Sequence, residues 1–161
     1  MKALSRLLLL VLLIVPAAFA QTSVTTPAQT ASATVLQGLT LGVSSALSFG
    51  RLVNSSTSGT ATLSPAGVFS TGGGVTSAPG TATVPAFTVT GTAGTVLAIT
   101  IPASIALTGP GTNMVITTTN DSSTSLASGT QTFHIGGTIA VAANQVQGSY
   151  SATYTVTVAY N

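Results

Sequence analysis

From Tyr150 to Tyr160 apolar and polar side chains alternate almost without a break. The even positions read Tyr150, Ala152, Tyr154, Val156, Val158 and Tyr160, and the odd ones Ser151, Thr153, Thr155, Thr157 and Ala159. A period of two sends one set to each face of a strand. The segment is therefore expected to be a strand with an apolar face and a threonine face, as in an antiparallel sheet wet on one side. The same period recurs upstream. Val35, Leu39, Leu41, Val43, Leu47 and Phe49 all fall on odd positions, as do Phe87 and Val89, and then Leu97, Ile99, Ile101, Ile105 and Leu107. Stretches 59–63, 114–118 and 133–141 add further strands, and Gly109-Pro110-Gly111, Asn120-Asp121 and Gly136-Gly137 punctuate them as turn-formers. Helical periodicity is hard to find after residue 20, and no fixed repeat period marks a solenoid. The pattern predicts an all-β fold, an immunoglobulin-like β-sandwich of about seven or eight antiparallel strands.

Two stretches fall outside the alternation. Ser64 to Ala86 is rich in Gly, Ser, Thr and Pro, with Gly72-Gly73-Gly74 and Ala78-Pro79-Gly80 inside it. It reads as a long loop with a flexible glycine triplet and room for one short edge strand near Gly67 to Ser70. Gln21 to Ala33 is made of small residues and includes Pro27, a composition suited to a flexible or extended arm.

The chain opens with Lys2 and Arg6, runs through apolar Leu7 to Val15, meets Pro16 and reaches Ala18-Phe19-Ala20 before Gln21. This order of charge, apolar run and small-x-small site is that of a secretory signal peptide cleaved after Ala20. The run falls short of the roughly 20 apolar residues of a spanning helix. The expected organisation is a signal peptide over 1–20, an arm over 21–33 and the β-sandwich domain over 34–161. The processed chain is expected to be exported to the periplasm, cell surface or extracellular space, with no stable membrane insertion.

Removing the leader changes the electrostatics. The formal charge of +2 includes Lys2 and Arg6, and beyond them only Arg51 and Asp121 carry full charges. A single arginine cannot displace the counterions of a polyanion, so nucleic acid is not an expected partner. Cysteine is absent, so a hydrophobic core and ladder hydrogen bonds must hold the fold without disulfides. Sheet edges are usually protected from pairing by lysine, glutamate or proline, and this chain is poor in charged gatekeepers. Association with itself or with another chain is the expected consequence.

The same poverty limits chemistry. Paired carboxylates for acid–base work are missing, because Asp121 is the single acidic residue. His134 and Asp121 are too few to make a dedicated zinc or iron site, no Gly-x-Ser-x-Gly elbow occurs, and the glycine triplet has no lysine after it. No catalytic residue, cofactor or metal ligand is assigned, and the chain is read as non-enzymatic. His134, between Phe133 and Ile135, belongs to the face opposite the core. Asp121 reads as a turn residue bonding nearby amides, and Arg51 as a solvated strand-end charge.

Several groups of residues together carry a family likeness. They are Leu47-Ser48-Phe49-Gly50 before the 59–65 stretch, Ala86-Phe87-Thr88-Val89-Thr90-Gly91, Phe133-His134-Ile135-Gly136-Gly137, and the stretch from Gly148 to Asn161. In these the chain resembles the DUF4402 domain proteins, which are similar to spore coat protein U and to archaic chaperone–usher pilin subunits. The resemblance implies an exported immunoglobulin-like sandwich of surface or fimbrial type with no catalytic residues. It also implies that a strand missing from the fold is supplied by a periplasmic chaperone and then by the N-terminal arm of the next subunit, with an aromatic next to last in the C-terminal strand, the place of Tyr160. Tyr150, Tyr154, Val156, Val158 and Tyr160 are the expected partner or edge strand. A monomeric secreted binding module, adhesin-like or carbohydrate-binding through the 64–86 loop, is the alternative reading.

Overall fold

The computed structural model describes residues 23–161. The leader and its cleavage residues Ala18, Ala20 and Gln21 lie outside the described residues. Residues 23–34 are exposed and carry neither helix nor strand. All the strands lie within the compact unit Val35–Asn161.

Among the described residues the fold is all-β and antiparallel, with twelve strands. In chain order they are β1 (Thr40–Val43), β2 (Arg51–Val53), β3 (Gly59–Leu63), β4 (Phe69–Gly73), β5 (Thr76–Ala78) and β6 (Ala86–Thr90). They continue with β7 (Thr95–Thr100), β8 (Ser104–Leu107), β9 (Met114–Asn120), β10 (Ser125–Leu126), β11 (Thr130–Val141) and β12 (Thr157–Tyr160). The larger layer has the order β1-β6-β11-β3-β4, with β9 also on β11 and β8 on β9. The smaller layer has the order β10-β7-β12, and β2 and β5 form a separate ribbon. An immunoglobulin-like sandwich results.

Its long central strand, β11, organises the larger layer. Thr130–His134 pair with β6, and further along Ile135–Ile139 pair with β9 while Gly137–Val141 pair with β3. The exchange of partners falls at Gly136-Gly137. These glycines were expected to break the strand, but they lie inside it because of close packing. A Cβ on Gly136 would stand 2.2 Å from the Leu63 carbonyl oxygen, so only glycine lets the two backbones approach.

The core follows the alternation. Phe87, Val89, Leu97, Leu126, Phe133 and Ile135 form one buried cluster between the layers, with Phe87 and Phe133 stacked as a cross-strand pair at 5.3 Å. A second cluster gathers Phe49, Leu63, Ile105, Ile116, Ile139 and Val141 with their neighbours. The outward face of the larger layer is lined by small hydroxyl residues. One row crosses five strands in register, Ser70, Thr62, Thr138, Thr117 and Ser104. Within it the Thr62 and Thr138 hydroxyls bond each other at 2.9 Å.

The 64–86 stretch holds more than the one short edge strand expected near Gly67 to Ser70: β4 (Phe69–Gly73) forms the edge there and β5 follows it. Its glycine triplet enters β4, where Gly72 and Gly73 pair with Thr60 and Gly59, and Gly74 N–H bonds the Ser58 carbonyl at 3.0 Å. Glycine composition suggests freedom, but here backbone pairing uses up that freedom, and the short strands β2, β4, β5 and β10 raise the count to twelve from the expected seven or eight. Along the odd-numbered run, Leu39 and Leu47 pack on the core and Phe49 joins it, whereas Leu41 and Val43 of β1 are 41 % and 61 % exposed. Their phase is apolar, yet neither belongs to either core cluster.

Candidate strand-addition edge

The terminal segment keeps its side-chain parity while losing its backbone partners. Tyr154, Val156, Val158 and Tyr160 are half-buried against the core, and the odd-numbered residues from Thr153 to Ala159 are exposed. The ladder with β7, however, covers Thr157–Tyr160 alone, not the whole run from Tyr150 expected from alternation. In that register residue 155 would face Pro102, which has no N–H to donate. The Pro102 carbonyl is also diverted, accepting a hydrogen bond from the Thr118 hydroxyl on β9, and the Ala103 carbonyl accepts from Thr118 N–H at 3.1 Å. Pairing resumes at Ser151, whose N–H and carbonyl exchange bonds with Thr108 at 3.0 Å each.

Between those points no backbone hydrogen bond joins residues 152–156 to another described residue. Successive amides in a strand point to opposite sides. Asn161 N–H bonds Val96 at 3.0 Å, which places the odd-numbered amides on the β7 side and the even-numbered ones on the outer side. Among the described residues β12 has β7 as its single neighbour, so its outer side is an edge open to them.

Tyrosines hold this segment at three levels. The Tyr160 hydroxyl donates to the Gln37 carbonyl and accepts from Thr92 N–H, both at 2.7 Å, tying the chain before β1 to the end of β12. Tyr154 packs on both core clusters, and burial pushes its phenol above the ordinary value. Tyr150 lies outside the ladder. Its hydroxyl donates to the Val146 carbonyl and accepts from the Gln145 side chain, each at 2.8 Å.

A cleft of about 760 Å³ opens at the start of the segment, where Ser149 to Ala152 line it. One wall is the 46–54 stretch, the other the 145–152 stretch, and Phe49, Leu107, Met114 and Ile139 line it with apolar surface. Asn54 donates to the Gln145 carbonyl at 2.7 Å, which links the walls. Arg51 stands on the first wall. Neither Arg51 nor the cleft was legible as a site, because the lining residues come from five distant parts of the chain.

The charged pair lies elsewhere. Asp121 accepts from both His134 N–H and the His134 ring, with Nδ1 at 2.9 Å from the carboxylate. Burial raises the Asp121 carboxyl, but the His134 backbone and side-chain bonds outweigh it and leave the carboxyl lowered. Asp121 thus reaches a partner across the sheet, and Asn120 makes the local turn by accepting from Ser122 N–H at 3.2 Å. His134 sits half-buried on the outward face with its ring tied to Asp121.

Residues 39–160 match a family model described as a domain of unknown function, DUF4402. The chain belongs to the DUF4402 family. No curated protein and no solved structure matches it. The DUF4402 match begins one residue before β1 and ends at Tyr160, so it takes in every strand, the cleft and the open edge. Residues 23–34 fall outside it.

Proposed function

We propose that this DUF4402 protein is an exported, non-enzymatic structural subunit of the bacterial surface, of fimbrial type, that assembles by adding a strand to the open edge of residues 152–160. The observation that carries this reading is the stretch 152–156, where core-facing side chains are seated but the backbone has no partner among the described residues. Unpaired amides and carbonyls leading to a cleft with an apolar floor form a template for an extended strand. Supporting it are the near absence of charge, the leader-like opening and the likeness to pilin-type domains. The strand comes from a neighbouring subunit's 21–33 arm, with a periplasmic chaperone serving the same edge before assembly.

The test compares the mass in solution of residues 21–161 with that of a form lacking residues 21–33. Oligomers in the first that disappear in the second are expected. Monomers in both, at concentrations well above micromolar, would contradict donation in trans.

A further inference from the structure

Arg51 is the one Lys or Arg of the sequence beyond the leader, and it lies on the wall of the cleft. Its backbone is fixed by pairing with Ala78 in the β2–β5 ribbon, and the Cγ of its stem would lie 3.4 Å from a Cβ built on Gly80. Among the described residues it has no ion-pair partner. The one side-chain carboxylate of the sequence, Asp121, is already held by the backbone and ring of His134. A second copy of the chain therefore has no uncommitted acidic side chain to offer Arg51.

We infer that the cleft receives an extended segment of a different polypeptide, apolar on alternate residues and carrying an acidic side chain that pairs with Arg51. This rests on the strand-addition reading and gives the chemistry of the strand that a non-identical partner lays on this edge before a neighbouring subunit's arm replaces it. The apolar floor of Phe49, Leu107 and Met114 takes the alternate side chains, and the unpaired backbone beyond Ala152 supplies main-chain bonds. Those terms accept almost any extended strand. Arg51 adds selectivity, because a guanidinium binds a planar carboxylate through two parallel N–H donors, whereas an amide of the same shape gains far less. Charge complementarity also sets the register, since a strand displaced by one residue would turn the carboxylate to the opposite face.

The probe is a short fluorescein-labelled peptide alternating valine with threonine and carrying one aspartate, beside a twin in which asparagine replaces the aspartate. Binding to the protein, expressed with its leader and purified after export, is followed by fluorescence anisotropy. The aspartate peptide is expected to bind about three- to tenfold more tightly, with the difference shrinking as salt is raised. Arg51→Gln should abolish that difference and leave the asparagine peptide unchanged. Arg51 is exposed, and an unaltered melting temperature verifies that the variant folds. Equal binding of the two peptides would overturn the acidic partner while leaving strand addition standing. Binding of neither peptide, in a chain that still self-associates through residues 21–33, would also overturn it. Binding of neither, in a chain that stays monomeric, would remove both readings together.

Discussion

Phe133→Ala is expected to destabilise the domain by about 3–5 kcal/mol, the usual cost of emptying a fully buried aromatic site. Phe133 is wholly buried and faces Phe87 across the β6–β11 ladder at 5.3 Å, with rings 12° from parallel. Truncation removes the stacking and opens a void in the cluster that also holds Val89, Leu97 and Leu126, and the β6–β11 ladder limits the collapse of the strands into it. At about 4 °C per kcal/mol for a domain of this size, the melting temperature should fall by roughly 12–20 °C. Against a total stability of about 5–15 kcal/mol, much of the margin is lost. A fall of less than about 4 °C in a thermal melt would contradict this packing.

Gly136→Ala is expected to cost about 3 kcal/mol or more, at the upper end of overpacking penalties. Its added methyl would meet the Leu63 carbonyl oxygen at 2.2 Å, Ser64 C at 2.7 Å and Pro65 N at 2.8 Å. All three are backbone atoms, so no side chain can swing aside. The site is where β11 exchanges β6 for β3 and β9, and a shift there displaces several ladders at once. Gly72→Ala is the control. Its added carbon would find its nearest neighbour, the Thr60 hydroxyl, at 3.7 Å, and alanine there should be tolerated. Comparable denaturation midpoints for the two variants would refute the close-approach explanation.

Alternation made much of this fold legible before any coordinates. β3 runs over Gly59–Leu63, as its pattern predicts, and the parity of Tyr154, Val156, Val158 and Tyr160 is that of their burial. Period two reports which face a side chain occupies. It carries no information on which chain, if any, lies beside the backbone. That is why Tyr150 to Tyr160 read as one strand although the ladder covers its end alone: the interruption originates in Pro102, far away in sequence. Composition misled at Gly72-Gly73-Gly74, because glycine allows both a loose loop and a tightly packed edge, and the choice depends on Thr57, Ser58 and Gly59 nearby. Asp121 found His134 across the sheet because β9 and β11 are in register one residue beyond their ladder, a pairing that no local pattern encodes. The cleft was illegible for the same reason, and the open edge became visible once each backbone bond had an owner.

Amide hydrogen exchange on the assembled and the monomeric protein tests strand addition most directly. In the monomer, the amides of Thr157 and Ala159 should be slow, because they bond β7, and those of Tyr154, Val156 and Val158 should be fast. On assembly the even-numbered amides at 154, 156 and 158 should slow by about a hundredfold or more as the added strand covers them. An assembly in which these three amides still exchange at the monomer rate would show that the subunits meet through another surface.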